Sequence, residues 1–523
     1  MDFKNMANAE YLLMHKDFYK TQESIEEILD NKADENSLTL LSSLSFKHHQ
    51  AKVFKEWSIS RLANNKSQQQ LLEQHTPYGR LQIWTCWKHY LSHLNQKPSQ
   101  QSLQDSLATL HRTFCKLNDS DGEQQHPQQY FLTTTTAFSR DSWEFQFIRA
   151  KKIFLENKTL APYISDFESH YNIKLVDYLN IIYLMVNIYH LKDDIDYLNP
   201  TQLDRWVLDI DHICASVPIN RKTLTDVLGL ISSTLEESQS FAKSTIDEPN
   251  NFTLFRNRPF IKLSETRYLP IEGKLVEDLL FNNLYYKIKD LYVGKSPFMD
   301  DFGGAFETYA VNLSNTAFSE KKDQYKIIPE FPFGKPQRMS PDLMISCPEN
   351  NSVTVIEIKS ARVLDRVFST ERDDEAVDNS FEKTKARPLI QARTRIGEIV
   401  QRKVHPDLTD SKYYQFLAVT MNDFPLILEN IVFTGPAGED ISSSFFSMNI
   451  EAYEVLLKII SCDYEITLDN ILNGYNHYKH KMSIKTYLSR VFTHNNLHSE
   501  TFVQIINGSR SEYIDYLRAS RNS

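Results

Sequence analysis

Residues 352–360 read Ser-Val-Thr-Val-Ile-Glu-Ile-Lys-Ser, and no other stretch of the chain restricts its fold as strongly. A β-branched run of this length belongs in a buried strand, yet it carries Glu357 and Lys359. Alternation along a strand sets both charges on one face, with Val353 and Val355 behind them and Thr354, Ile356 and Ile358 on the other. A carboxylate and an ammonium on a core strand cost several kcal/mol unless they are paired, hydrogen-bonded or metal-bound. The preceding extended segment offers a partner, because Pro341-Asp342 opens it 15 residues before Glu357, a separation that a hairpin spans. Two carboxylates converging on one point bind a hard cation, Mg²⁺ or Mn²⁺, through oxygen. A neighbouring lysine then positions and activates a water for attack on a phosphodiester.

The surroundings of this strand predict an α+β, multidomain chain. Only 13 of 523 residues are glycine, against about 7% in average usage, which disfavours glycine-punctuated all-β and repeat architectures. Residues 1–248 show apolar spacing of three and four, as in Ile25, Ile28 and Leu29, and read as a large α-helical N-terminal domain for recognition or regulation. The polar stretch 118–129 reads as a loop, and Asp193, Asp194 and Asp196 as a solvated helix terminus rather than a metal site. Asp247 to Asn251 reads as a linker. Beyond it, residues 249–440 alternate helix and strand: a hairpin around Ser264-Glu265-Thr266, helices over 273–291 and 300–318, extended segments at 325–333, 342–347 and 352–363, a helix over 387–404 and a strand over 413–421. Residues 441–523 return to helical patterning as a C-terminal extension.

The Pro341-Asp342 and Glu357-Ile358-Lys359 pair in this order of elements resembles the PD-(D/E)xK phosphodiesterase superfamily, the restriction-endonuclease-like nucleases. Glu-x-Lys recurs at Glu156, Glu272 and Glu320, and Pro-Asp at Pro406-Asp407, but of these only Glu357 lies in a β-branched run behind its own Pro-Asp. The resemblance covers about residues 295–425 and implies a mixed central sheet flanked by helices. It implies that Asp342, Glu357 and the backbone carbonyl of Ile358 hold the metal and that Lys359 handles the water. Glu307, in Gly303-Gly-Ala-Phe-Glu, matches the glutamate that family members often carry on the helix before the sheet. Gln391 matches the glutamine on the helix after the motif, with Arg395 one turn later.

The net charge of −10 gives no global pull toward nucleic acid, so binding must be local. Lys383, Lys385, Arg387, Arg393, Arg395, Arg402 and Lys403 form such a basic segment. On a helix, Gln391, Arg395, Glu398 and Arg402 share a polar face opposite Ile396, Ile399 and Val400, suited to backbone phosphates. The acidic segment 371–378 reads as a mobile loop over the site. Five scattered cysteines without zinc spacing, no apolar leader in residues 1–13 and no apolar run of spanning length place the chain in the cytoplasm, off membranes. The expected activity is Mg²⁺-dependent DNA endonuclease, with antiviral defence as its setting and a homodimer or partner protein docking through the helical domain. A non-catalytic nucleic-acid-binding or assembly module and an RNA nuclease are the alternatives.

Overall fold

The computed structural model describes residues 11–46, 48–94, 102–119, 142–192, 200–248, 250–292, 297–364, 366–369, 373–422, 442–462, 466–479, 481–492 and 499–520. Residues 120–129, Asp193, Asp194 and Asp196 lie outside these ranges. The chain combines a helical N-terminal region with mixed sheets, as an α+β protein.

The main sheet has five strands: β1 (Lys326–Pro329), β2 (Leu343–Cys347), β3 (Ser352–Lys359), β4 (Tyr413–Thr420) and β5 (Phe445–Asn449), side by side in sequence order. β1, β2 and β3 run antiparallel through short connections. β3, β4 and β5 run parallel, and a parallel neighbour requires a crossover. Helix α2 (Arg387–Gln401) lies on that crossover between β3 and β4, whereas α1 (Pro297–Ser319) precedes the sheet and α3 (Ile450–Ile460) follows it. Both sheet faces are covered, so β3 and β4 read as near-continuous apolar runs. On one face Leu389, Ala392, Ile396 and Ile399 of α2 pack on Met344, Val353, Val355 and Ala418. On the other, Ile345, Ile356, Ile358 and Val419 join a core that extends to Phe302 and Phe306 of α1 and Leu456 of α3.

Three expectations need correction. Helical patterning was expected from Ser443 onward, but Phe445–Asn449 forms β5, paired in register from Phe416↔Phe445 to Thr420↔Asn449. Five residues are too few to separate strand from helix by periodicity, and Asn449 ends the strand by capping the Ala452 amide at 3.0 Å to start α3. Asp247 to Asn251 does not divide the chain into units with separate sheets. Ser232–Thr234 pairs with Phe260–Lys262, and the second sheet also takes in Arg267–Pro270 and Leu208–Asp209, so its strands come from both sides of that segment. The mobile-loop reading of 371–378 is replaced from Asp373 onward by a helix, Asp374–Phe381, whose N-cap Asp373 accepts from Ala376 N at 2.8 Å. Ala376 and Val377 seat that helix on Val363 and Val367, while residues 371 and 372 lie outside the described ranges.

A buried ion pair ties the N-terminal region to the sheet. The Arg149 guanidinium donates to both oxygens of Glu454 on α3, at 2.9 and 2.7 Å, and Tyr309 Oη of α1 donates to Glu454 at 2.7 Å. Both charged side chains are only 1% exposed. Removing one partner leaves an uncompensated buried charge, which costs about 3–5 kcal/mol. Glu454→Gln or Arg149→Met alone should therefore depress the thermal midpoint sharply. Combining the two should recover much of the loss, and calorimetry of the three variants checks the sign of that coupling.

Candidate active site

Sheet register builds the site. Leu343 pairs with Ile356, so one step further Asp342 faces Glu357 across β2 and β3. Leu343 also pairs with Pro329, so the same step sets Glu330 beside Asp342 at the end of β1. Side chains directly across a ladder share a face, and this row of three carboxylates lies on the α2 side, in line with Ile328, Met344 and Val355. Glu357 is fully buried and Asp342 nearly so, at 0% and 5% exposure.

Each buried oxygen that has a partner finds it at close range. Lys359 Nζ donates to Asp342 Oδ2 at 3.1 Å and lies 2.8 Å from Glu357 Oε1. The Ile358 amide donates to Asp342 Oδ2 at 2.6 Å, which holds the peptide before Lys359 against that carboxylate. From α2, Gln391 Nε2 donates to Glu357 Oε1 at 2.7 Å, and Arg395 reaches the same oxygen at 3.3 Å and the Ser340 carbonyl at 3.4 Å. Three donors thus converge on Oε1. Glu357 Oε2 is buried with no hydrogen-bond partner. An orphan carboxylate oxygen in the interior is costly, and it fits a site that accepts a cation.

The electrostatics of the pocket follow from this crowding. Burial, then the Asp342 charge, pushes the Glu357 carboxyl above its ordinary range, against the pull of Lys359 and Arg395. The half-buried Glu307 on α1 is pushed up to about 7 by burial and then by Asp342, so it belongs to the same field. Glu330 is raised by burial and by Asp342 as well. Burial disfavours the Lys359 charge, but the Asp342 and Glu357 carboxylates outweigh it and hold the ammonium above its usual value.

No protein-family model matches this chain, and neither a curated protein nor a solved structure is significantly similar to it. The geometry alone therefore carries the functional argument. It brings Asp342, Glu357, Lys359 and the Ile358 peptide together, and draws Glu307, Gln391 and Arg395 into the same site. Of the basic residues, Arg387 and Arg402 are exposed and Arg393 is half-buried. The polar face of α2 expected to meet phosphate is engaged by protein as far as Glu398, with Arg402 beyond it exposed: Gln391 and Arg395 reach Glu357, and Glu398 pairs with Arg338 at 2.8 Å. The competing Glu-x-Lys at Glu272 is structural, since Glu272 pairs with Arg80 at 3.0 Å and caps Leu275 while Lys274 pairs with Asp278.

The residue that sequence reasoning missed is Glu330. Its signal is alternation with Ile328 at the end of β1, but only the β1–β2 register reveals its neighbour. Among the described residues no group of three or more His, Cys, Asp or Glu side chains is placed to hold a metal ion between them. Two carboxylates and a peptide suit Mg²⁺, which keeps several waters and completes its shell with substrate phosphate. A cation at Asp342 and Glu357 requires Lys359 to release at least one of its two contacts.

In EDTA, four carboxylates facing the Lys359 ammonium and the Arg395 guanidinium should strain the fold locally, as functional sites often do. At about pH 8.5, where the Glu307 carboxyl raised to about 7 is ionised, Glu307→Gln deletes one charge without changing shape and should raise the thermal midpoint in EDTA by about 1–3 °C. The gain should shrink or reverse in millimolar Mg²⁺. Scanning fluorimetry under both conditions measures the difference.

Proposed function

We propose that this protein is a metal-dependent nuclease of the PD-(D/E)xK type, an endonuclease acting on DNA. The observation that carries this reading is Asp342 facing Glu357 across adjacent strands beside Lys359, with one Glu357 oxygen left unpartnered inside the protein. Lys359 and Arg395 balance the two carboxylates, but a purely structural ion-pair cluster would leave no carboxylate oxygen buried without a partner. The order of α1, the β1–β2–β3 meander, the crossover helix α2 and β4 supports this reading, because it keeps the order of helices and strands on which the resemblance rests.

Within this reading Asp342, Glu357 and the Ile358 carbonyl would hold a Mg²⁺ or Mn²⁺ ion, and Glu307 would assist them from α1. The ion supplies Lewis-acid polarisation of water and neutralises charge on the phosphate oxygens. Gln391 and Arg395 fix Glu357 by Oε1, so that Oε2 presents to the site. Lys359, carried on the same strand face, orients the attacking water and stabilises the charge that develops on it. Arg387, Arg393 and Arg402 contribute positive charge along α2 for the nucleic-acid backbone. One such site cuts one strand, so a double-strand break requires two copies or two successive events. None of the five cysteines is in a disulfide, which fits a reducing cytoplasm, and no described helix is long and apolar enough to cross a membrane.

The test is cleavage of supercoiled plasmid, single-stranded DNA and RNA with Mg²⁺, Mn²⁺ or EDTA, by the parent chain and by Lys359→Ala and Asp342→Ala. We expect metal-dependent nicking of DNA that falls at least a hundredfold in both variants. Preferential cutting of RNA would change the substrate assignment. Absence of cleavage together with absence of Mg²⁺ binding by calorimetry would replace catalysis with a nucleic-acid-binding or assembly role for the same fold.

A further inference from the structure

The segment between β1 and β2 is a hairpin rooted in the site. It leaves the sheet at Glu330 and returns at Asp342, so both feet stand in the carboxylate row. Its own ladder pairs Pro332 with Met339 and Phe333 with Arg338. Phe333 is buried in the core beneath α2, and the Phe331 ring stacks on His405 at 5.4 Å. Arg338 pairs with Glu398 of α2 at 2.8 Å. Gly334 turns the chain at φ +75°, a conformation that L side chains rarely adopt, and a Cβ there would sit 2.9 Å from Arg402 Nη1. The ribbon is thus braced against α2, and Gly334 through Met339 are exposed.

Residues 331–340 carry Lys335 and Arg338 and no acid, in a chain of net charge −10. Arg338 is neutralised by Glu398, so the positive charge at the tip is that of Lys335 and of Arg402, whose guanidinium lies against Gly334, while the near end of the ribbon holds the carboxylates. Five residues from Glu330 to Lys335, at about 3.3 Å each, reach roughly 16 Å at most. A duplex major groove admits a two-stranded ribbon.

Resting on the nuclease reading, we propose that the hairpin of residues 331–340 is the element that engages the substrate and that the substrate is a duplex. Lys335 and Arg402 meet backbone phosphates on either side of a groove, and Gln337, exposed at the tip, faces the base edges. A single strand offers no groove for a rigid ribbon to enter.

The experiment measures binding of a labelled short DNA duplex, and of one of its strands alone, by the full chain carrying Lys359→Ala, in Mg²⁺ from 50 to 200 mM salt. The same chain with Lys335→Glu and Arg402→Glu added should bind the duplex at least tenfold more weakly, with a salt slope smaller by about 2. Its affinity for the single strand should change less than twofold. Gln337→Glu, a single change at an exposed position, should weaken duplex binding in the same direction and keeps the test valid if the double variant unfolds. Unchanged duplex affinity, or an equal loss on both substrates, would overturn the hairpin assignment while leaving the nuclease reading intact. Failure of the Lys359→Ala chain to bind either substrate, with no cleavage by the parent, would overturn both.

Discussion

Burying the Glu357 carboxylate is the constraint around which the five-stranded sheet and the helices on it are arranged. A lone ion of this kind in the interior is untenable, so neighbouring elements contribute to its environment. β3 supplies Lys359, and α2 supplies Gln391 and Arg395. β2 adds Asp342, which shares the Lys359 ammonium but also repels Glu357. The compensation is incomplete by one oxygen. That shortfall separates the cluster from the fully satisfied Arg149–Glu454–Tyr309 set elsewhere in the same core, in which both carboxylate oxygens are engaged.

The two buried clusters have complementary roles. Glu454 joins α3 to α1 and to the N-terminal region, which fixes α1 against the central strand β3 and with it Glu307. Gly303, one turn before Glu307, brings that helix close enough to β3 that a Cβ would stand 3.4 Å from Ser360 Oγ. The helical N-terminal region thus shares a single apolar core with one face of the sheet, from Leu29 to Phe502. Any motion it undergoes on meeting a partner is coupled mechanically to α1 rather than transmitted through a flexible linker.

The strand carrying Glu357 and Lys359, its Pro-Asp partner, the helix bearing Glu307 and the crossover helix were all legible in the residue pattern. Each rests on local information: β-branched runs, two-residue alternation, or apolar spacing of three and four. β5 was not legible, because Phe445–Asn449 is short and acquires its identity only by pairing with β4. Nor was the continuity of the second sheet across the segment 247–251, since Ser232–Thr234 finds its partner in Phe260–Lys262 beyond it. The helix at Asp374–Phe381 was hidden by its acidic composition, and its stability comes from a satellite core on Val363 and Val367.

By itself the sequence determined which residue types meet in the site, since a charged pair in a β-branched strand admits few resolutions and Asp342 stands at hairpin distance. The tertiary structure decided what each charge touches. Register is a property of paired strands, and it alone aligned Glu330 with Asp342 and Glu357. Helix packing likewise turned Gln391 and Arg395 inward to the carboxylate and set Glu398 and Arg402 against the hairpin. A polar helix face looks the same in sequence whether it meets solvent, phosphate or another segment of the protein, because its periodicity records only which side is apolar.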